Sequence, residues 1–192
     1  MVLIIVAFFS GSLPLSVWLG KIALGIDIRQ YGDGNPGAAN VWRAGGAGWG
    51  MLAVLLDFLK GAIPVALANF VFNLEGASLA VAAVAPIAGH AFSPFLRFHG
   101  GKALAVTFGI WTGLSLWLIP TILGLFFGVY LLLLKPDGWA VMAGIATLLI
   151  VLLFIGNPVW LIVWAGMAII LGWKHRADLS TKPQISFRLR KS

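Results

Sequence analysis

The chain has 192 residues, 60% of them hydrophobic and only 10% charged, with a mean hydropathy of +1.00. That leaves too little polar surface to coat a water-soluble globule, so the composition excludes a soluble domain and makes lipid the solvent of one compact membrane domain. The net charge of +7 fits cationic inner loops, an anionic lipid surface or an anionic substrate, while the lack of cysteine excludes a thiol nucleophile, a disulfide framework and any thiolate-bound metal.

The first apolar run, 2–24, begins at Val2 with no basic region before it and no small-residue cleavage signature, so it is expected to stay as a membrane helix. Runs 47–72 and 77–92 predict the second and third spans. Residues 103–134 would make a single helix of roughly 48 Å, against a hydrocarbon core of about 30 Å, so one helix is too long and two are short. Lys135-Pro136-Asp137-Gly138 and Gly156-Asn157-Pro158 then separate two further spans.

Charge parity decides the count. With two crossings in 103–134, bent near Pro120, there are seven helices with the N-terminus outside and the C-terminus cytoplasmic. Arg29, Arg43, Arg97, Lys102, Lys135, Lys174, Arg176, Lys182, Arg188, Arg190 and Lys191 then all lie inside, and the outer loops carry Glu75. One crossing would move Lys135 and the basic tail outside, against the positive-inside rule. The fold expected is an all-α integral membrane domain over 1–178, followed by a basic cytoplasmic tail, 179–192. No fixed-period repeat or inverted duplication is visible, which weakens a transporter reading.

Three inner segments carry the polar chemistry. Between the first two spans, Asp27 to Arg43 contains Gly32, Gly34 and Gly37, which let backbone N–H groups approach a ligand. Asn35, Asn40 and Arg43 add amide and guanidinium donors, so the loop is a plausible anion cradle. A turn-rich loop anchored by arginine is the competing reading.

Between spans three and four, Gly100-Gly101-Lys102 precedes a helical run and can offer N–H groups and an ammonium to a phosphate. A full nucleotide P-loop is absent, and an interfacial anchor is the competing reading. His90 reads as a site residue or a buried hydrogen-bonding histidine, and His99 as exposed. After the last span, His175 and Asp178 can share a helix face, so that Asp178 orients the imidazole; helix-end snorkelling of Lys174 and Arg176 competes with this. Within the second span, Asp57 and Lys60 form either a structural ion pair or part of a site wall.

The segments GDGNPGAANVWR, LDFLKG, GHAFSPFLRFHGGK and GWKHRAD, in this order and on one predicted face, resemble the bacterial acyl-phosphate-dependent glycerol-3-phosphate acyltransferases, the PlsY family. The resemblance covers nearly the whole chain. It implies acyl transfer from acyl phosphate to the 1-hydroxyl of glycerol 3-phosphate, giving lysophosphatidic acid and phosphate at the bacterial inner membrane, with the site facing the cytoplasm. It implies no metal, no cofactor and no nucleic-acid partner.

By resemblance, Arg43 and Lys102 bind phosphate, the loop with Gly34, Asn35, Gly37 and Asn40 cradles substrate, and His90 and His175 support or line the site. Gly100, Gly101, Lys60 and Asp178 complete the expected substrate-binding set on their own chemistry, and either His175 or a substrate phosphate oxygen takes the proton. Asp33 stands where the family has serine and Asp178 where it has asparagine, which sets two alternatives: the carboxylates pair with basic neighbours, or the chain is a paralogue with another acceptor or no activity. In the second case Asp33 is a candidate general base for a neutral hydroxyl. A small membrane transporter or scaffold is the remaining alternative.

Overall fold

Proline and glycine decide where the apolar runs break. The computed structural model describes residues 1–185, so Arg188, Arg190 and Lys191 lie outside the described residues. The first run is two helices, α1 (Val2–Ser12) and α2 (Leu15–Leu24), because Pro14 has no N–H to continue the ladder and holds Leu13 extended, at φ −57° and ψ 122°. The break frees carbonyls inside the protein. Ser93 Oγ donates to Ser12 O at 2.6 Å and Lys60 Nζ to Leu13 O at 2.8 Å, so both are satisfied.

A short 3₁₀ turn, Ile28–Gln30, leads to α3 (Ala38–Ala66), so the second half of the expected 27–43 loop is helical. Gly46 interrupts α3 at φ 81° and ψ −174°, a conformation open to glycine alone, and it turns the segment carrying Asn40 and Arg43 away from the span that follows. Helix α4 (Gly76–Ala91) comes next, then α5 (Leu104–Ser115) and α6 (Leu118–Leu133). The break between α5 and α6 falls at Leu116, φ 55°, with Pro120 in the first turn of α6, where its missing N–H costs no helical hydrogen bond. Strand β1 (Leu134–Lys135), α7 (Asp137–Ile155), α8 (Pro158–Lys174), α9 (Arg176–Leu179) and strand β2 (Gln184–Ile185) complete the described chain.

Close approach through glycine organises the bundle, as expected where lipid supplies no hydrophobic drive between helices. A Cβ on Gly11 would overlap the Pro86 backbone and one on Gly89 the Phe8 carbonyl, joining α1 to α4. Gly61 and Gly109 do the same for α3 and α5. The core between α3 and α8 holds Trp111, Ile110, Leu148 and Met167, all at 0% exposure, with Trp111 Nε1 3.3 Å from Met167 Sδ. Large apolar side chains such as Phe154 (89% exposed) and Ile169 (74%) face outward, the pattern of a protein solvated by lipid.

Antiparallel pairing of β1 with β2 sets Leu134 opposite Ile185, and Trp139 Nε1 donates to Thr181 O at 2.8 Å. The described part of the expected tail, 179–185, is therefore docked on the α6–α7 turn. Among the described residues, four helical segments, Val2–Leu24, Ala38–Val71, Gly76–Leu96 and Asp137–Ile155, are long and apolar enough to cross a membrane, and α5, α6 and α8 are shorter apolar helices.

Candidate active site

Four segments meet at one end of the bundle: the loop ahead of α3, the loop ahead of α5, the α6–α7 turn, and α9. The first three, with α3 and α5, line a cavity of about 590 Å³, and α9 stands behind it. One part of its wall is polar, with Asp33, Asn35, Arg43, His90, Lys102 and Asp137. The other is apolar, with Trp42, Val54, Leu104 and Phe108. The starts of α3 and α5 also reach the wall through Ala38 and Leu104, and the unpaired N–H groups of a helix's first turn favour an anion.

Asp33 is the node of the polar part. Its Oδ1 accepts from the Asn35 N–H and from Asn40 Nδ2, each at 3.2 Å, and its Oδ2 lies 3.1 Å from Lys102 Nζ. Asn40, wholly buried, also donates to Asn35 O at 2.9 Å and accepts from Arg43 Nη1 at 2.6 Å. Arg43 is thereby aimed by Asn40 while its side chain stays 52% exposed at the wall.

Lys102 Nζ is also 3.4 Å from Asp178 Oδ2, so one ammonium joins the loop before α3 to α9. Burial raises the Asp33 carboxyl, but the hydrogen bonds from Lys102 and Asn35 and the charges of Lys102 and Arg43 outweigh it and hold the group below the usual carboxylate range. Burial likewise lowers Lys102, and the contacts with Asp33 and Asp178 more than offset it, leaving its pKa raised. Both groups are charged at neutral pH.

The loop carrying Lys102 is fixed from behind. Gly100 N–H donates to Ala91 O at 3.2 Å and Gly101 N–H to His90 O at 3.0 Å, which caps the end of α4. Gly101 lies directly against the His90 ring, where any Cβ would collide with Nε2. Lys174 Nζ then donates to Gly100 O at 2.7 Å and to Ala91 O at 3.1 Å.

This arrangement has known relatives. The glycerol-3-phosphate acyltransferase family model matches residues 1–182. Glycerol-3-phosphate acyltransferase 1 of Thermotoga maritima is 41% identical, covering 92% of this chain and 94% of that protein, and the Bacillus velezensis enzyme is 36% identical, covering 96% and 97%. The chain belongs to the glycerol-3-phosphate acyltransferase family. Two crystal structures of PlsY, an integral membrane member of this family, superpose on the fold. Its glycerol 3-phosphate form has a TM-score of 0.84 at 29% identity, covering 93% of this chain and 89% of that one. Its lysophosphatidic acid form has a TM-score of 0.83 at 27% identity. The protein is thus a predominantly helical integral membrane acyltransferase.

Of the site residues expected in this family member, the cavity wall collects Asp33, Asn35, Gly37, Arg43, His90 and Lys102. Asn40 and Asp178 stand behind them, holding Asp33, Arg43 and Lys102. Gly34, at φ 72°, turns the loop, its N–H donating to Tyr31 O at 3.1 Å. Gly100 and Gly101 do not present their N–H groups to a ligand, because the end of α4 takes both; they act by packing, and the ammonium of Lys102 is what remains for an anion.

Two other expectations change. Lys60 is buried behind the wall in a 2.8 Å ion pair with Asp57, whose other oxygen accepts from Ser16 Oγ at 2.7 Å. Asp57 reaches the wall and Lys60 braces the α1–α2 break. His175 is 2% exposed, and its Nδ1–H donates to Leu171 O at 2.9 Å, while Asp178 turns to Lys102. Burial is the main cause that pushes the His175 imidazole below its ordinary pKa. Lys174, Trp42, Phe108 and Asp137 were not singled out from the sequence as site residues. Lys174 sat in a motif that also reads as snorkelling, and Asp137 in a turn that reads only as a helix break.

Proposed function

We infer that the protein transfers a fatty acyl group from acyl phosphate to the 1-hydroxyl of glycerol 3-phosphate, giving lysophosphatidic acid and phosphate. One observation carries this: a single cavity joins Arg43, Lys102 and two helix starts to an apolar wall of Trp42, Val54, Leu104 and Phe108. The polar part offers Arg43 and Lys102 to phosphate oxygens, and the apolar part suits the first carbons of an acyl chain. A polar phosphate ester and a lipid can therefore meet here.

Acyl phosphate is an activated mixed anhydride, so the protein's work is orientation and charge neutralisation. The acceptor oxygen attacks the acyl carbon, the bond from that carbon to the phosphate oxygen breaks, and phosphate leaves with the electron pair. The acceptor proton passes to a phosphate oxygen. This assignment replaces His175, which faces Leu171 from a buried position, and Asp33, whose carboxylate is a weak base while Lys102, Asn40 and Asn35 hold it. His90 and Gly101 shape the wall beneath Lys102. The site faces the cytoplasm at the inner membrane, since the loops that build it carry Arg29, Arg43, Arg97, Lys102, Lys135 and Lys174.

The donor is tested by giving purified protein labelled glycerol 3-phosphate with either palmitoyl phosphate or palmitoyl thioester. Lysophosphatidic acid is expected with the phosphate alone. Product formed from the thioester alone would overturn the donor assignment, and label crossing a liposome membrane without acylation would favour transport.

A further inference from the structure

Three segments converge on one ammonium. Lys102 Nζ lies 3.1 Å from Asp33 and 3.4 Å from Asp178, and Arg43 Nη1 is 3.8 Å from Asp33. The side chains of Lys102, Asp33 and Asp178 are 30%, 43% and 24% exposed; Lys102 and Asp33 line the cavity, and Asp178 meets Lys102 from behind it. Two cations are therefore matched by two carboxylates. Asp57, which also lines the cavity, is matched by Lys60.

A cradle built only to attract a phosphate dianion would leave its positive charge uncompensated. Here Lys102 already holds Asp33 and Asp178 at 3.1 and 3.4 Å, and repulsion between these carboxylates and a phosphate at Lys102 grows with the charge the ligand carries. Asp178 is held in place: a Cβ on Gly138 would lie 2.5 Å from that of Asp178, so α9 packs tightly on the first turn of α7. Asp33 is held by Asn40 and the Asn35 N–H.

We propose that Asp33 and Asp178 are specificity-determining residues of the acceptor site, holding Lys102 in the empty enzyme and making the site accept a singly charged phosphate ester about as readily as a doubly charged one. The proposal rests on the reading that a glycerol phosphate is the acceptor. Binding is then an exchange in which a phosphate oxygen replaces a carboxylate at Lys102. The exchange weakens capture of the dianion and eases release of the phosphorylated product.

The test compares kcat/KM for glycerol 3-phosphate and for its phosphate methyl ester, near pH 8, in wild type, Asp33→Asn, Asp178→Asn and Asp178→Glu. Wild type is expected to favour neither by more than about threefold, each asparagine variant to shift the ratio toward the dianion by roughly tenfold, and the glutamate variant to keep the wild-type ratio. A ratio unmoved in both asparagine variants overturns the proposal, since a merely structural role changes both acceptors alike.

If those variants do not fold, wild type alone decides. Inorganic phosphate and dimethyl phosphate should protect it from thermal unfolding at similar concentrations, and an advantage of more than about tenfold for inorganic phosphate overturns the proposal. Wild type that acylates neither acceptor refutes the functional reading instead, and the protection measurement, which needs no turnover, still decides the role of the carboxylates.

Discussion

Lys174 Nζ, at the end of α8, donates to the carbonyl of Gly100 at 2.7 Å and so ties the last span to the loop that carries Lys102. The same ammonium donates to Ala91 O at 3.1 Å and sits 5.7 Å from the Phe92 ring centre. One charged donor thus satisfies two carbonyls at once, an arrangement of about 1.5–3 kcal/mol per hydrogen bond in similar settings. The position of Lys102 depends on it.

Replacing Lys174 with methionine keeps the apolar stem and removes the donor. The loop 98–103 is then expected to loosen, with KM for the phosphorylated acceptor rising by about tenfold and kcat falling with it. Arginine at this position should recover part of the loss. Steady-state kinetics of the two variants in one detergent checks this.

The Asp57–Lys60 pair gives a stability prediction. Both side chains are 3% exposed, and Lys60 also satisfies Leu13 O at the proline break. Lys60→Met leaves a buried carboxylate uncompensated and should cost about 3–5 kcal/mol, whereas Asp57→Asn with Lys60→Met should cost clearly less. Thermal unfolding in detergent measures the difference.

Gly101 gives a steric one. Alanine there would drive its methyl group into the His90 ring, so Gly101→Ala should reduce kcat/KM by at least about tenfold. Combining it with His90→Ala should return part of the activity, because the ring that is struck has gone. A double variant no better than Gly101→Ala alone would show that the ring is not the obstacle.

The pairing of Asp33 with Lys102 sets a pH window. The Asp33 carboxyl is lowered in the folded protein, so its contribution to stability is present above its unfolded pKa, about 3.9, and is lost as pH falls through the folded value below that. Lys102 is raised, so its contribution holds below about 10.4 and is lost as pH rises through its folded value. The difference in unfolding midpoint between wild type and Asp33→Asn should therefore be flat from about pH 5 to 8 and shrink below about 4. A difference that instead vanishes near pH 6 would contradict the pairing.

The membrane class and the partition of 103–134 into two helices were legible, because hydrocarbon thickness and charge parity act on whole segments. Contacts of Lys102 with Asp33 and Asp178, and of β1 with β2, bring together the loop ahead of α3, the loop ahead of α5, the α6–α7 turn and the segment after α8. The motifs located the cavity for a similar reason, since Arg43, His90 and Lys102 lie in the segments whose polarity stands out from an apolar chain.

Hydrogen-bond partners were not legible. Hydropathy cannot see that Pro14 divides a continuous apolar run, nor that Lys60, far along the chain, completes the break. From the sequence the N–H groups of Gly100 and Gly101 are free for a ligand and the His175 imidazole is available, but the end of α4 takes both N–H groups and the imidazole is buried against Leu171. The sequence leaves Asp33 and Asp178 open between pairing with basic neighbours and marking a paralogue with another acceptor or no activity. Their geometry pairs them, both to the same lysine.

The most direct measurement is acyl transfer by purified protein in lipid, with palmitoyl phosphate and labelled glycerol 3-phosphate. Wild type is expected to release phosphate and form lysophosphatidic acid in equal amounts, and Arg43→Ala and Lys102→Ala, while still folded, to lose at least about a hundredfold in rate. Folded wild type that forms no lysophosphatidic acid, or a Lys102→Ala variant as active as wild type, would contradict it.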